Sequence, residues 1–377
     1  MKVYVDCVGC EQRQLDAQQV IDYVKANGIE MVDAPSACDL AIMVTCAVDQ
    51  ASEDKSVEMI EHVSGKVPKT ARLVVGGCLP SITPSRLTLY NIHATFSPRN
   101  MKTLQQIIGL ERPLDIVEYP NRSSFDSTRF VDLSKMDARQ DYEAAKNGFK
   151  IRIDHGCLLQ CSYCAIRLAT AKLKSEDPEV VKRQVKRAVA LGEKTIMLVG
   201  GDTGAYGYDI GTRLCNLLEL ILAIPGDFKV YIHDFNINWL LRDEKEFLAV
   251  FASENGKKLG SVSFPVQSGS NRMLKLMKRP YTSENVVRVL SEIRRIAPHI
   301  RFGTHIIVGF PGETEEDFQD TLKMMDEVNF DFATCFSFSE RAPTYAAELD
   351  GKISKEVTDN RLAVLNERYK DRVNVIR

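Results

Sequence analysis

Three cysteines in one short segment have the spacing of ligands to a metal cluster. Cys157, Cys161 and Cys164, here called the loop cysteines, stand at i, i+4 and i+7 in HGCLLQCSYC, directly after a predicted strand. Three thiolates on one loop can hold a cubane iron–sulfur cluster and leave its fourth iron open to an outside ligand. Cys161 and Cys164 alone would also fit zinc, but zinc normally takes four ligands in paired spacings, and no second pair lies nearby. The spacing therefore favours a cluster with one open iron.

Three further cysteines each follow a predicted strand near the start of the chain. Cys10, Cys46 and Cys78, here called the strand-end cysteines, occur in VGCEQRQLD, VTCAV and VVGGCLP. Because the carboxyl ends of parallel strands meet at one edge of a sheet, we expect these distant residues to converge. Three converging thiolates again fit a cluster with an open iron, although three unrelated buried cysteines would give the same pattern.

Alternating strand and helix patterns predict an α/β fold that positions both sets of cysteines. Residues 1–110 predict an N-terminal parallel α/β domain, Rossmann-like and three-layered, that carries the strand-end cysteines. Its predicted strands are 2–8, 40–45, 73–76 and 93–96, and its predicted helices lie near 12–27, 50–64 and 99–109. Residues 111–147 are polar and broken by prolines, which predicts a connector.

A second strand–helix series predicts a partial (βα)6 barrel of the TIM type over residues 148–350. Its predicted strands are 149–154, 194–199, 228–233, 260–266, 302–308 and 332–338. The helices between them are predicted near 178–191, 211–224, 241–253, 283–297 and 314–327. A C-terminal helix is expected within 351–377. In such folds the chemistry lies at the carboxyl ends of the strands, where the loop cysteines stand.

Composition narrows the class of protein. Lys and Arg number 49 against 51 for Asp and Glu, so no overall basic excess indicates a nucleic-acid partner. The absence of a long apolar run and of a signal-peptide pattern predicts a cytoplasmic protein without a membrane partner. Ten cysteines in such a chain indicate metal sites or catalytic thiols rather than disulfides. The cysteines without a motif are predicted to be buried thiols: Cys7, Cys38, Cys215 and Cys335.

The CxxxCxxC pattern after the first strand of such a barrel resembles the radical S-adenosylmethionine superfamily. Combined with the strand-end cysteines, nearly the whole chain is similar to the methylthiotransferase family within it. Further matching segments are LVGGDTGAYGYDIGT (198–212), FPVQSGSNRMLKLMKRPYT (264–282), IIVGFPGETEEDF (306–318) and the region around Arg341. The tracts CSYCAIRLATAKLKS and DTGAYG are most similar to the branch that acts on threonylcarbamoyladenosine in tRNA.

The resemblance implies two 4Fe–4S clusters and S-adenosylmethionine as cofactors. At the cluster on the loop cysteines, an electron from a donor such as flavodoxin or ferredoxin cleaves S-adenosylmethionine to methionine and a 5′-deoxyadenosyl radical. The cluster on the strand-end cysteines carries sulfur that a first S-adenosylmethionine methylates. The radical removes hydrogen from an unactivated C–H bond, and the carbon then takes the methylthio group. We therefore expect the N-terminal domain to lie across the mouth of the barrel.

Residues at the predicted strand ends are candidates for binding the cofactor or substrate. They are Tyr163, Gly200, Gly201, Asp202, Gln267, Ser268 and Arg341. Tyr163 can pack beside the cluster or a nucleoside, and the acid of Asp202 can hold the cationic amine of S-adenosylmethionine. Arg341 follows the sixth strand and is either a partner for a carboxylate or an ordinary surface arginine.

Several positions depart from the family's pattern. Arg13 and Val44 stand where relatives usually carry Asn, Thr170 and Ala171 replace an Arg-Gly pair, and His305 replaces an Asp. We also expect the chain to lack the C-terminal TRAM domain, a small β-barrel usual in members that act on tRNA. Together with the balanced charge, these departures favour a peptide, such as a natural-product precursor, or a small molecule as acceptor. The alternatives are a tRNA acceptor, or a radical enzyme whose second cluster only positions substrate or relays electrons.

Overall fold

The computed structural model describes residues 1–125 and 148–376. They form two compact units, each with its own parallel sheet. Unit 1 comprises residues 1–125, 164–171 and 339–343, and unit 2 comprises 148–163, 172–338 and 344–376. Two short segments within the predicted barrel range therefore cluster with unit 1. The predicted connector at 111–147 lies in part outside the described residues.

Unit 1 contains a five-stranded parallel sheet with the strand order β2-β1-β3-β4-β5. The strands are β1 (Lys2–Cys7), β2 (Glu30–Met31), β3 (Leu40–Thr45), β4 (Arg72–Gly77) and β5 (Ala94–Thr95). The helices are α1 (Glu11–Ala26), α2 (Gln50–Ser64), α3 (Leu79–Ile82), α4 (Thr103–Ile108) and α5 (Ile166–Ala169). The predicted parallel α/β fold is confirmed, while the short elements β2, α3 and α5 were not predicted.

The central strand β3 shows why unit 1 has three layers. All its residues are buried, and alternate side chains point to opposite faces of the sheet. Leu40, Ile42 and Val44 belong to the apolar cluster that contains α1, and Ala41 and Met43 belong to the cluster that contains α2. Such a strand, buried on both faces, is typical of the centre of a parallel sheet.

Unit 2 contains a seven-stranded parallel sheet with the order β14-β13-β12-β11-β10-β9-β6, and a two-stranded antiparallel ribbon of β7 and β8. The strands are β6 (Phe149–Arg152), β7 (Asp154–His155), β8 (Lys174–Ser175), β9 (Thr195–Val199), β10 (Lys229–Ile232), β11 (Leu259–Gln267), β12 (Arg301–Val308), β13 (Phe332–Ser337) and β14 (Val373–Ile376). All six predicted barrel strands are present. The sheet has two edges, β6 and β14, so it is an open, partial barrel.

Helices connect successive strands of unit 2. They are α6 (Pro178–Ala190), α7 (Leu214–Leu222), α8 (Ile237–Arg242), α9 (Glu244–Ala252), α10 (Asn271–Leu276), α11 (Ser283–Ile296), α12 (Glu315–Val328) and α13 (Lys355–Arg368). The predicted helix near 241–253 is in fact two helices, α8 and α9. Strand β14 was not predicted, because its four residues follow the C-terminal helix within a few positions. No helix among the described residues has the length and apolarity required to cross a membrane.

Side chains alternate between the two faces of the unit 2 sheet, as β12 and β13 show. Phe302, Ile306 and Val308 are buried in the apolar core that the helices cover. His305 and Phe336 lie half-buried on the opposite face, with their rings edge to face and their centroids 5.5 Å apart. The face away from the helices therefore carries the rings of His305 and Phe336, together with Ile307 of β12.

Candidate functional site

The strand-end cysteines converge as predicted. Strands β1, β3 and β4 are adjacent and parallel, and their carboxyl ends lie in register. Cys10 is the residue before α1, Cys46 directly follows β3, and Cys78 directly follows β4. The backbone N–H of Cys78 donates a hydrogen bond of 2.9 Å to the carbonyl of Thr45, which aligns the ends of β3 and β4.

The chemical environment of the strand-end cysteines fits a metal cluster. Cys46 and Cys78 are buried and Cys10 is exposed. Burial raises the pKa of Cys46 strongly, and the neighbouring Cys10 and Cys78 raise it further. Burial also raises the pKa of Cys78 to about 11. Because neighbouring buried thiolates repel one another, cationic iron is the kind of group that would stabilise them together.

A buried arginine accompanies these thiols. Arg13, in the first turn of α1, is 3% exposed, and its Nη1 lies 3.9 Å from the sulfur of Cys78. Its Nη2 forms a salt bridge of 2.9 Å with Asp16. The sequence showed Arg13 only as a departure from the family's pattern, and its contact with Cys78 was not predicted.

The backbone of unit 2 holds part of the loop that carries the loop cysteines. The N–H of Ser162 donates to the carbonyl of Met277 over 3.1 Å, and the carbonyl of Ser162 accepts from the N–H of Ala346 over 2.9 Å. The N–H of Leu159 donates to the sulfur of Cys157 over 3.3 Å, as expected around a thiolate. Each loop cysteine is partly exposed, and Cys164 clusters with unit 1.

Asp202 lies after β9 and is buried beside Cys157. Its carboxylate accepts hydrogen bonds from the indole Nε1 of Trp239 over 2.7 Å and from the N–H of Asn236 over 3.3 Å. The sulfur of Cys157 lies 3.6 Å from its Oδ2. Burial raises the pKa of Asp202 to about 6. A buried acid at this position has the charge to hold a cationic amine.

A second buried acid, Asp154 in β7, was not identified from the sequence. Its Oδ1 accepts hydrogen bonds from the N–H groups of Gly201 over 2.7 Å and of Asp202 over 3.4 Å. Its Oδ2 is buried, with no hydrogen-bond partner in the described part of the chain. Burial, followed by the charge of Asp202, raises the pKa of Asp154 to about 8. Two adjacent buried acids with an unsatisfied oxygen fit a cationic ligand such as the amine of S-adenosylmethionine.

Gly200 and Gly201 permit this close packing. A Cβ atom on Gly200 would lie 2.3 Å from Oδ2 of Asp154, and one on Gly201 would lie 2.0 Å from the carbonyl oxygen of Gly156. Any side chain at either position would displace Asp154 or the backbone before Cys157. The two glycines are therefore required sterically, whether or not they also touch a cofactor.

Gln267 and Ser268 differ in how far their side chains are hydrogen-bonded within the fold. Gln267 ends β11 with a φ of 80°, in the left-handed region. Its Oε1 is buried, and none of the described residues forms a hydrogen bond with it. Ser268 has its hydroxyl 3.2 Å from that of Thr321 and accepts a hydrogen bond from the N–H of Ser270 over 3.1 Å. Gln267 thus has an acceptor left for a ligand, whereas the hydroxyl of Ser268 is used within the fold.

Arg279 is a further charged residue that sequence reasoning missed. It is buried, and its Nη2 donates a hydrogen bond of 2.9 Å to the carbonyl of Pro265. Its guanidinium lies 6.0 Å from the ring centroid of Tyr163. Burial by itself would lower the pKa of Arg279, but the neighbouring groups together raise it: Tyr163, Tyr281, Cys161 and Asp202. The sequence feature that could have identified Arg279 is its position in MKRPYT, part of a segment that resembles the family.

Arg341 is buried in unit 1, not on the surface. It forms a salt bridge with Glu53, and its Nη atoms lie 3.2 Å from the side-chain oxygens of Gln50 and Thr83. The carboxylate that Arg341 binds in the structure is that of Glu53, within the same unit. A contact between Arg341 and cofactor stays a prediction.

Among the described residues, no three His, Cys, Asp or Glu side chains are placed to hold a single metal ion. A cubane binds each cysteine through a different iron, so its ligands lie farther apart than those around one ion. The four cysteines without a motif are buried as predicted: Cys7, Cys38, Cys215 and Cys335.

Comparisons with known proteins agree with these sites. The Radical SAM superfamily model matches residues 151–325, and that of the uncharacterized protein family UPF0004 matches residues 2–96. The probable threonylcarbamoyladenosine tRNA methylthiotransferase of Pyrococcus horikoshii is 32% identical, over 94% of this chain and 82% of its own length. The threonylcarbamoyladenosine tRNA methylthiotransferase MtaB of Thermotoga maritima is 30% identical, over 98% of this chain and 82% of its own length. The chain therefore belongs to the radical S-adenosylmethionine methylthiotransferase family, and it is an enzyme.

A solved structure supports the fold. The radical S-adenosylmethionine methyltransferase TsrM of Kitasatospora setae, with cobalamin and a 4Fe–4S cluster bound, matches with a TM-score of 0.65. The match covers 92% of this chain and 77% of that chain at 16% identity, so it concerns the fold alone. The cofactors of the family to which this chain belongs are S-adenosylmethionine and 4Fe–4S clusters.

Proposed function

We propose that this protein inserts a methylthio group at a C–H bond of threonylcarbamoyladenosine in tRNA. The observation that carries the proposal is the identity of 30–32% to enzymes named for that reaction, which extends over at least 94% of this chain. The peptide or small-molecule acceptor expected from the sequence has no support in these relatives. Balanced overall charge does not oppose a tRNA acceptor, because phosphate contacts depend on local patches of charge.

Each cluster has its own set of ligands in this proposal. The loop cysteines would hold the cluster that supplies the electron for cleavage of S-adenosylmethionine, and the strand-end cysteines would hold the cluster that supplies sulfur. Asp154 and Asp202 would bind the cationic amine of S-adenosylmethionine, which explains why two acids are buried together. The cation of Arg279 balances the negative charge of Asp202 and Cys161. The partly exposed loop cysteines leave room for iron and cofactor.

The ring-bearing face of the unit 2 sheet supports a nucleobase acceptor. Tyr231 in β10, His305 in β12 and Phe336 in β13 are half-buried on this face, and His233 follows β10. Burial lowers the pKa of His305, the nearby Asp234 opposes this and His233 adds to it, and the net shift favours the neutral imidazole. Neutral rings stack on a purine at little desolvation cost, and each stacked base contributes about 1–3 kcal/mol to nucleic-acid binding. An aliphatic peptide would gain less from this surface.

The test is product analysis with a defined acceptor. The chain would be loaded with iron and sulfide under anaerobic conditions and supplied with reductant, S-adenosylmethionine and tRNA that carries threonylcarbamoyladenosine. Nucleoside mass spectrometry should show the methylthio increment on that nucleoside. Matched controls are the Cys157→Ala variant, which should yield neither 5′-deoxyadenosine nor product, and tRNA without the threonylcarbamoyl group.

The other outcomes separate the alternatives. Formation of 5′-deoxyadenosine without any modified tRNA would contradict the acceptor and direct the search to peptides expressed together with the enzyme. A product that has lost hydrogen without gaining sulfur would indicate that the second cluster only positions substrate or relays electrons. The electron donor, a flavodoxin or ferredoxin, would be tested by replacing the chemical reductant.

A further inference from the structure

The first turn of α1 directs a permanent positive charge at the strand-end cysteines. Cys10 precedes the helix and Arg13 lies three residues later, so both side chains lie at the same end of α1. Nη1 of Arg13 lies within hydrogen-bonding distance of the sulfur of Cys78, at 3.9 Å. A Cβ atom on Gly9 would lie 2.5 Å from Cβ of Arg13, so glycine at this position leaves the space that the arginine occupies.

The surroundings of Arg13 hold the guanidinium in place. Asp16 binds its Nη2 over 2.9 Å, and the hydroxyl of Tyr119 donates a hydrogen bond of 3.0 Å to the other oxygen of Asp16. Burial disfavours the charge of Arg13, but four neighbouring groups outweigh burial and favour the charged form: Asp16, Cys78, Cys10 and Tyr119. The Nε of Arg13 is buried and has no hydrogen-bond partner among the residues that the structure describes. A buried arginine with a spare donor is arranged for a further anionic neighbour.

We propose that Arg13 is a positioning residue for the cluster on the strand-end cysteines, and that its charge raises the reduction potential of this cluster. The proposal rests on the proposed function in one respect, the assignment of these cysteines as cluster ligands. A 4Fe–4S core held by three thiolates is an anion, and it becomes more negative when it takes up an electron. A nearby fixed cation favours the reduced form, and hydrogen bonds to the ligand sulfurs act in the same direction.

The experiment measures the potential of this cluster alone. The loop cysteines would all be changed to alanine in the full chain, which leaves the strand-end cysteines as the site for iron. A redox titration followed by electron paramagnetic resonance then compares Arg13→Gln and Arg13→Lys with the parent. We expect Arg13→Gln to favour the oxidised form about tenfold, which is about 59 mV for a one-electron couple. Arg13→Lys keeps the charge and should lose less than half of that shift.

Two further variants separate charge from folding. Asp16→Asn removes the neighbouring negative charge and should shift the potential in the opposite direction to Arg13→Gln. The double variant Arg13→Gln/Asp16→Asn leaves no unpaired buried charge, so it is used if Arg13→Gln does not fold. It is then compared with Asp16→Asn, relative to which its cluster should have the lower potential, and equal potentials would overturn the proposal. Arg112→Gln is the matched control, because Arg112 is an exposed arginine of the same unit that contacts the carbonyl of Ala26.

Each outcome decides the proposal. An unchanged potential in Arg13→Gln would overturn it, as would loss of the cluster from both Arg13→Gln and the double variant while Arg112→Gln stays loaded. A parent that takes up no iron at the strand-end cysteines would overturn both this inference and the proposed function. A shifted potential in a protein that does not modify tRNA would support the inference while the proposed function fails.

Discussion

The carboxylate of Asp202 accepts a hydrogen bond of 2.7 Å from the indole of Trp239, and the chain contains one tryptophan. The indole therefore reports on the site where Asp202 and Asp154 meet the loop that carries Cys157. This hydrogen bond fixes the orientation of the Asp202 carboxylate, because the indole has a single N–H donor that points in one direction.

Asp202→Asn should weaken the binding of S-adenosylmethionine to the cluster-loaded enzyme. The neutral amide forms a weaker hydrogen bond with a cationic amine than a carboxylate does, so we expect about a tenfold loss of affinity. Titration of Trp239 fluorescence with S-adenosylmethionine measures the loss directly. Asp227→Asn is the control, because Asp227 is an exposed acid that pairs with Lys194. Equal affinities of Asp202→Asn and the parent would show that Asp202 does not contact the amine.

Asp154 should make the cluster-free protein less stable as the pH rises. Its pKa is raised to about 8 in the folded chain from an ordinary value of 3.8, so the unfolded chain loses this proton first. At Asp154 the folded chain therefore binds more protons than the unfolded chain between pH 4 and about 8, so the contribution of Asp154 to the free energy of unfolding falls across that range. Asp154→Asn removes the ionisation and should be more stable than the parent at pH 9 by roughly 1–3 kcal/mol, with a smaller difference at pH 5. Urea unfolding at both pH values checks this, and a difference that is larger at pH 5 would refute the assignment.

Iron content should distinguish ligands from spare thiols. The loaded parent should hold about eight irons, enough for two cubanes. Cys46→Ala should remove about half, because the remaining two strand-end cysteines cannot hold a cluster securely. Cys335→Ala should keep the full content, since Cys335 is a buried residue of β13 within the apolar core of unit 2. Iron analysis and the absorbance of the clusters measure both variants, and about four irons in the parent would exclude two cubanes.

The buried ion pair of Arg341 with Glu53 should matter to folding. Arg341→Ala leaves the carboxylate of Glu53 buried with fewer partners, so we expect a loss of about 3 kcal/mol in the free energy of unfolding. The double variant Arg341→Met/Glu53→Met removes both charges and should recover most of that loss. Lys194→Ala breaks an exposed pair and should leave stability unchanged within error. If Arg341 also contacts S-adenosylmethionine, affinity for that cofactor will fall in the double variant although stability returns.

Binding of tRNA should weaken steeply with salt. Each lysine or arginine that neutralises a phosphate releases a counterion, so the logarithm of affinity falls linearly with the logarithm of salt concentration. A fluorescence anisotropy titration at several salt concentrations measures the slope. A flat response would contradict a tRNA acceptor.

Several features of the fold could be predicted because each has a local cause. The six strands of the partial barrel are apolar runs of ordinary length, and strand–helix alternation requires them to be parallel. Strand β14 and the short helices were missed because a few residues carry too little pattern to separate them from loops. The division of the described chain into units also differs from a simple linear boundary, since residues 164–171 and 339–343 cluster with unit 1.

By itself the sequence determined the two sets of cysteines, the α/β class and the family, because ligand spacing and strand patterns are properties of neighbouring residues. Only the tertiary structure decided that Asp154 is buried beside Asp202, and that Arg13 donates to a cysteine 65 residues away. Such pairings depend on which strand ends become neighbours and how much water they exclude. The charge of a site depends on burial and on the proximity of residues that are distant in sequence, and neither can be predicted from a local sequence pattern.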